Sequence, residues 1–483
     1  MKRTGIFLLV LITIFSSITL FSCDKRENLT SYNLDLTYVE EEHNLYGKME
    51  VNVVNSEEVV FTELKFNTFG NAFREGAKYQ PVLPQYIAKA YPNGISYGKM
   101  SIDSVKVEGE KVDFYIGGED LNLLTVPLKN ELFPNESVKV EMEFCLSLAN
   151  VYARTGYYDN TVNLGNFYPV LAVYDNGFYE CNYYAIGDPF YTEVANYTVS
   201  ITAPTEYLVA SSGKLTKTKT ERDLTKSSYE LKNARDFCLV LSKDYEVLTE
   251  KIGDKEVNYY YYDDKSPKTK LETAVKAIKT FSNLFIEYPY QTFSVCQTKF
   301  FEGGMEYPGL VYISDNLDEQ SFNEVIVHET AHQWWYGLVG NNQIEYGYLD
   351  EGLTEYSVVL FYEQNSEYGI KRETLINICE QNYQTYCTVY DKLFNKVDTS
   401  MRHLKEYKSE YEYVNLSYIK PTIMFDRLRC DIGDKKFFNL LKEYAKDGSY
   451  KIVTPSNLIS SFSKSGIEVE GYFNSFINGK VIL

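Results

Sequence analysis

Only four histidines occur in 483 residues, no Cys-x-x-Cys pair is present, and 48 lysines and arginines are outnumbered by 67 aspartates and glutamates. Each scarcity excludes something. The formal charge of -19 argues against nucleic acid as a partner and provides no polybasic membrane patch. The eight cysteines, at 23, 145, 181, 238, 296, 379, 387 and 430, lack the spacing of a thiolate zinc site. If Cys23 is modified, the remaining seven are an odd number that cannot all pair, so most are read as small buried hydrophobes. No internal repeat of 20 to 50 residues and no low-complexity linker is visible, and the length favours two domains, each with its own core.

The longest mostly apolar run is Ile6 to Phe21, 16 residues, short of the roughly 20 that a membrane span needs. Lys2 and Arg3 precede it and Ser22-Cys23 follow it, the order of parts in a secretory signal. Leu20-Phe21-Ser22-Cys23 resembles a bacterial lipobox, which implies cleavage before Cys23, lipidation of that residue, and a protein anchored on the extracytoplasmic side of the membrane. An uncleaved signal anchor is the alternative.

From residue 24 the chain alternates apolar and polar residues in short segments such as Lys48 to Val54, Ser137 to Glu143 and Asn196 to Thr202. This pattern predicts antiparallel sheet. The run Tyr259 to Tyr262 fits an amphipathic strand, since tyrosine favours strands. Beyond it the period changes: Leu271, Val275, Ile278, Phe281 and Phe285 recur at helical spacing from Pro267 and end before Pro289. The class expected is α+β, with a signal over 1–23, a β-rich domain over 24–245 and a mostly helical domain over 246–483.

Two of the four histidines fall in Val325-Ile-Val-His-Glu-Thr-Ala-His332. On a helix His332 lies about 40° round from His328 and Glu329 about 100°, so the two imidazoles can share one ion while Glu329 stands beside them, within reach of a water on the metal. An accidental pair at this spacing has odds of about 2% among four histidines, before Glu329 is required. A catalytic zinc needs a third protein ligand and an open position. Glu351 follows His332 after 18 residues, enough for a helix to end, turn through Gly340-Asn341-Asn342 and return. Glu355, one turn on, could orient a ligand histidine or be a solvated helix carboxylate. His43 and His403 have no partner at ligand spacing and read as surface or turn residues.

His328-Glu329-x-x-His332, Glu351 after 18 residues and Gln333-Trp334 directly after the second histidine resemble the gluzincin peptidases of the M1 aminopeptidase family. Gly303-Gly304-Met305-Glu306 is similar to that family's Gly-x-Met-Glu-Asn substrate strand, with Tyr307 and Pro308 where the pattern departs. The resemblance implies a thermolysin-like zinc peptidase domain, one Zn2+ per chain, and peptide substrates whose free amine meets Glu306. Independently of the family, paired glycines allow close backbone approach, and an edge strand can pair with an extended peptide. The family also implies a tyrosine that donates to the developing oxyanion; Tyr418, in Ser417-Tyr-Ile-Lys420, is the candidate, with Tyr411 and Tyr413 as alternatives. A second amine-binding Glu or Gln is expected from the β domain, yet Asn160 to Pro169 contains neither.

The expected reaction is release of an amino-terminal residue, with His328, His332 and Glu351 holding zinc, Glu329 as general base and then acid, and Tyr418 on the oxyanion. An endopeptidase or other hydrolase on the same scaffold, and a catalytically silent peptide-binding lipoprotein, are the rival readings. With about 130 residues after Glu351, the expectation is a cleft without the long C-terminal helical domain of many relatives, and so more open.

Overall fold

A computed structural model describes residues 28–391 and 398–479. Cys23 and the apolar run before it lie outside the described residues.

The alternating segments form an eight-stranded sheet in the order Lys214–Glu221, Leu224–Ala234, Ala195–Pro204, Ser31–Val39, Asn44–Val54, Ser137–Ser147, Lys99–Val107, Glu110–Lys111. Along Ser31–Val39 every second side chain is buried, as expected for a sheet with one face on the core. All neighbours are antiparallel except one: Ser31–Val39 runs parallel to Ala195–Pro204, Leu34 opposite Val199. Two four-stranded sheets share the same core, one built on Thr161–Leu164 and Leu239–Ser242, the other on Phe61–Asn67 and Leu123–Leu132.

Pairing changes at Glu246–Ile252, which opens a five-stranded sheet ordered Glu246–Ile252, Lys255–Tyr261, Thr292–Thr298, Leu310–Ser314, Gly304–Met305. Tyr259 and Tyr261 of the tyrosine run face inward and Tyr260 is half-buried. Among the described residues the outermost strand, Gly304–Met305, is held by Ile313 and Tyr312 on one side only. Its other side is a free sheet edge beside the helices.

The helix Pro267–Leu284 buries Leu271, Val275, Ile278 and Phe281. It packs on the histidine helix Glu319–Ala331, which in turn packs on the glutamate helix Tyr348–Gln364. Asp318 caps the histidine helix by accepting from the Ser321 N–H at 2.9 Å, worth about 1 kcal/mol. After it, Trp334 donates its indole N–H to the Ile286 carbonyl at 2.8 Å, and Trp335 donates to Ser357 Oγ of the glutamate helix at 2.9 Å. Phe281 and Phe285 pack edge-on against these indoles. Among the described residues no helix is long and apolar enough to cross a membrane.

Candidate active site

The histidine helix closes at Ala331, and His332 occupies its C-cap with helical dihedrals, so the pair stays on one face. Ile326 and Val327 anchor that helix in the core. Gly340–Asn341 forms a short strand against Ile452–Val453, Asn342 caps the turn Gln343–Tyr346, and the glutamate helix then returns Glu351.

The three expected ligands converge. His328 Nε2 and His332 Nε2 are 3.2 Å apart, and Glu351 Oε2 lies 3.5 Å from the first and 3.2 Å from the second. Donors about 2.0 to 2.1 Å from a tetrahedral zinc stand about 3.3 Å from one another, so the trio fits that ion. Glu351 Oε2 is buried and makes no hydrogen bond among the described residues. The outer ring atoms are engaged: His328 Nδ1–H donates to Glu355 at 3.2 Å, and His332 Nδ1–H donates to the Trp335 carbonyl at 2.9 Å with Thr354 Oγ1 at 3.1 Å. These bonds fix the tautomers that turn both Nε2 lone pairs to the centre. Sequence spacing suggested Glu355 but not Trp335 or Thr354.

Burial alone would lower the histidine pKa values, but the carboxylates reverse it. His328 is raised to about 10 by the neighbouring carboxylates Glu351 and Glu355, and His332 is raised well above the imidazole range by Glu306 and Glu351. Glu351, although burial pushes its pKa up, is held at about 2 by His332 and His328. Without a dication these groups compensate one another's charge.

Glu329 is buried, and its Oε2 has no hydrogen-bond partner among the described residues. Burial raises its pKa to about 7, which the positive histidines partly oppose. Its carboxylate lies over Gly304, where an added Cβ would come 2.3 Å from Glu329 Oε1. That glycine is what allows the edge strand and the carboxylate to occupy adjacent space. Gly303 has no such contact.

Glu306 follows the edge strand and is 4% exposed. Glu306, Glu329 and His332 each offer an atom within 4.8 Å of the others. Burial, reinforced by the charge of Asp188, pushes the Glu306 pKa well above the carboxylate range; such a group ionises when a cation arrives beside it. Tyr307, in place of the family's asparagine, points away from the cleft. Its hydroxyl donates to Asn166 Oδ1 at 2.8 Å, and Asn166 donates to Asp236 at 2.6 Å. Gly165 makes room, since a Cβ there would sit 2.0 Å from Tyr307 Oη.

Tyr418 lies on a π-helical turn, Val414–Ile419, a feature often found at functional sites. Its ring stacks on His328 with 5.8 Å between centroids, and its hydroxyl donates to Glu351 Oε1. Burial and the charge of Glu351 raise its pKa well above 10, so at neutral pH it is a proton donor. Tyr411 and Tyr413 also line the cleft; Tyr413 packs edge-on against Tyr418.

The cleft encloses about 820 Å³. Its wall from the β domain supplies a residue that the sequence reading missed. Asn160, Asn163 and Asn166 bond to Asp244, Ala153 and Asp236 respectively, within the scaffold. Asp188 instead reaches the centre, paired with Arg154 at 2.7 Å. Arg154 also contacts Met305 Sδ of the edge strand at 2.9 Å. No spacing rule links Gly187-Asp188-Pro189 to residues more than 100 positions away. His43 stacks on Tyr157 and His403 caps a turn, both away from the metal trio.

Two histidines and a distal glutamate around a buried free carboxylate, on a helical layer beside a free sheet edge, form the kind of site that gluzincin metallopeptidases carry. Residues 269–476 match the peptidase family M1 domain. Human endoplasmic reticulum aminopeptidase 2 is 23% identical over 401 residues, covering 76% of this chain and 41% of that protein; the chain thus spans less than half the length of this curated relative. The M1 zinc metallopeptidase from Deinococcus radiodurans superposes with a TM-score of 0.67 at 17% identity, covering 94% of this chain and 95% of that one. A point mutant of that enzyme, bound to a Tyr-Ser-Ala substrate, gives 0.65 at 16% identity, with the same coverage. Residues 269–476 thus match the M1 peptidase domain, and the chain as a whole shares the fold of that metallopeptidase.

Proposed function

We propose that the protein is a zinc-dependent aminopeptidase that releases the first residue of a peptide. The observation that carries this reading is the closeness of Glu306 to the centre. The α-nitrogen of an amino acid lies about 2.5 Å from its own carbonyl carbon, so a group that holds the amine of the departing residue must stand a few Å from the base and the metal ligands. Glu306 does, within 4.8 Å of Glu329 and His332. A dipeptide-releasing enzyme would need its amine anchor one residue, about 3.5 Å, further away.

Zinc held by His328, His332 and Glu351 would supply a Lewis acid and make a nearby water more acidic. Glu329, unpaired and raised towards neutrality, takes the proton from the attacking water and returns it to the leaving nitrogen. Tyr418 turns its hydroxyl from Glu351 Oε1 to donate a hydrogen bond to the developing oxyanion, and the free edge of Gly304–Met305 aligns the peptide by backbone pairing. Glu306 and Asp188 present carboxylates to the substrate ammonium, the latter steadied by Arg154.

The relative bound to Tyr-Ser-Ala supports short peptides as substrates. A panel of aminoacyl fluorogenic compounds, with and without a chelator, tests the reading: turnover that disappears on chelation and returns with zinc is expected, and turnover indifferent to chelation would overturn it. The endopeptidase reading requires N-acetylated peptides to be cut as fast as free ones.

We further propose anchoring at the extracytoplasmic face of a bacterial membrane through lipid on Cys23, supported by Lys2, Arg3, the apolar run and Leu20-Phe21-Ser22-Cys23. Metabolic labelling with palmitate should mark the protein and fail on Cys23→Ser; equal labelling of both would rule this out.

A further inference from the structure

Gln343 is 1% exposed and opens the short turn between the two metal-binding helices. Its amide Nε2 donates to Glu306 Oε1 at 3.1 Å and to Asp350 Oδ2 at 2.7 Å, while Asn341 Nδ2 donates to Asp350 Oδ1 at 3.0 Å. In this orientation the amide nitrogen serves two carboxyl oxygens at once, while the amide oxygen is buried without a partner among the described residues. Among the described residues Gln343 is the one hydrogen-bond donor to Glu306. Asp350 directly precedes the ligand Glu351 on the glutamate helix. One amide therefore ties the residue beside the substrate amine to the helix that carries the third ligand.

The geometry points to Gln343 as the positioning residue that makes Glu306 a directional amine receptor, a role that rests on the aminopeptidase reading. The terminal torsion of a glutamate is broad and nearly two-fold, so a carboxylate held at neither oxygen turns freely. With Oε1 engaged, the carboxyl plane is set and Oε2 is left for an incoming N–H. Because Gln343 is also bonded to Asp350, that oxygen keeps a constant distance from the metal ligands. The first peptide bond, rather than the second, is thereby placed at the centre. Gln343 is not among the residues that line the cleft, so its effect passes through Glu306.

Gln343→Met keeps the bulk and removes the donors. Gln343→Asn withdraws the N–H from Glu306 and is expected to give the same shift, so a folding failure of one variant leaves the other to decide. In the zinc-loaded enzyme KM for free aminoacyl substrates should rise about tenfold, or 1.4 kcal/mol, with kcat within about twofold and zinc per chain unchanged. Binding is measured separately, by calorimetry of the zinc-loaded Glu329→Gln protein with L-leucinamide and with N-acetyl-L-leucinamide. Adding Gln343→Met should weaken leucinamide about tenfold and leave the acetylated compound unaffected. Unchanged KM, or an equal loss for both compounds, would overturn the role of Gln343. No leucinamide binding before Gln343 is altered would overturn the aminopeptidase reading with it, whereas binding without turnover of any aminoacyl substrate by the wild type would overturn that reading alone.

Discussion

Glu329 is the residue whose surroundings most clearly suit chemistry over structure. A buried carboxylate with an unpaired oxygen costs a folded protein several kcal/mol, and here that cost is sustained next to three metal-compatible donors. Glu329→Gln should keep one zinc per chain and lose at least 100-fold in kcat, measured as metal content alongside steady-state turnover; retained turnover would show that the base lies elsewhere. Glu355 acts one bond further out, through His328 Nδ1. Its replacement by alanine should weaken zinc binding by about 10- to 100-fold, read in a competition assay with a chromogenic chelator. The titration of the site sets a third expectation. His328 in the metal-free protein is raised to about 10 by Glu351 and Glu355, so it is protonated at pH 7 and must lose that proton to bind metal. Zinc affinity should therefore rise with pH below about 10, and loading at pH 7 should release protons. Calorimetric heats that scale with buffer ionisation enthalpy would display this; heats independent of buffer would exclude it.

At the scale of elements, the site is the meeting of a helix pair with a free sheet edge. The helix pair was readable: His328, Glu329 and His332 are close in sequence and have one helical solution, and Glu351 lies one loop away. The sheet edge was readable only through a glycine-rich match, because nothing in Gly303-Gly304-Met305-Glu306 states which glycine is sterically required. The structure separates them: Gly304 abuts Glu329 at a distance that no side chain tolerates, and Gly303 does not. Gly304→Ala should cut turnover at least tenfold by displacing the base while zinc content holds, whereas Gly303→Ala should be mild. Comparable effects from the two in a parallel kinetic assay would refute this assignment. Asp188 and Gln343 could not be read from spacing, because each acts on Glu306 from a separate part of the chain. The parallel partnership of Ser31–Val39 with Ala195–Pro204 was hidden for a similar reason, since alternation reports a buried face and not the identity or direction of a neighbouring strand.

At the scale of the whole molecule, the β-rich part contributes to the site as well as to the core. Asp188 and Arg154 reach into the cleft from it, and the chain Asp236–Asn166–Tyr307 pins the residue after Glu306 to it. Tyr307, the departure from the family pattern, thereby has a structural use: its long side chain crosses to a pocket that Gly165 leaves open. Both parts together place Glu306 within 4.8 Å of Glu329 and His332, and that short distance is the physical basis of the proposed cut at the first bond. The most direct test is a mass-spectrometric time course of the zinc-loaded protein with one peptide in two forms, amino-terminus free and N-acetylated. Stepwise loss of single residues from the free peptide, with the acetylated form intact, is the expected result. Internal cleavage of both forms at similar rates would contradict the account.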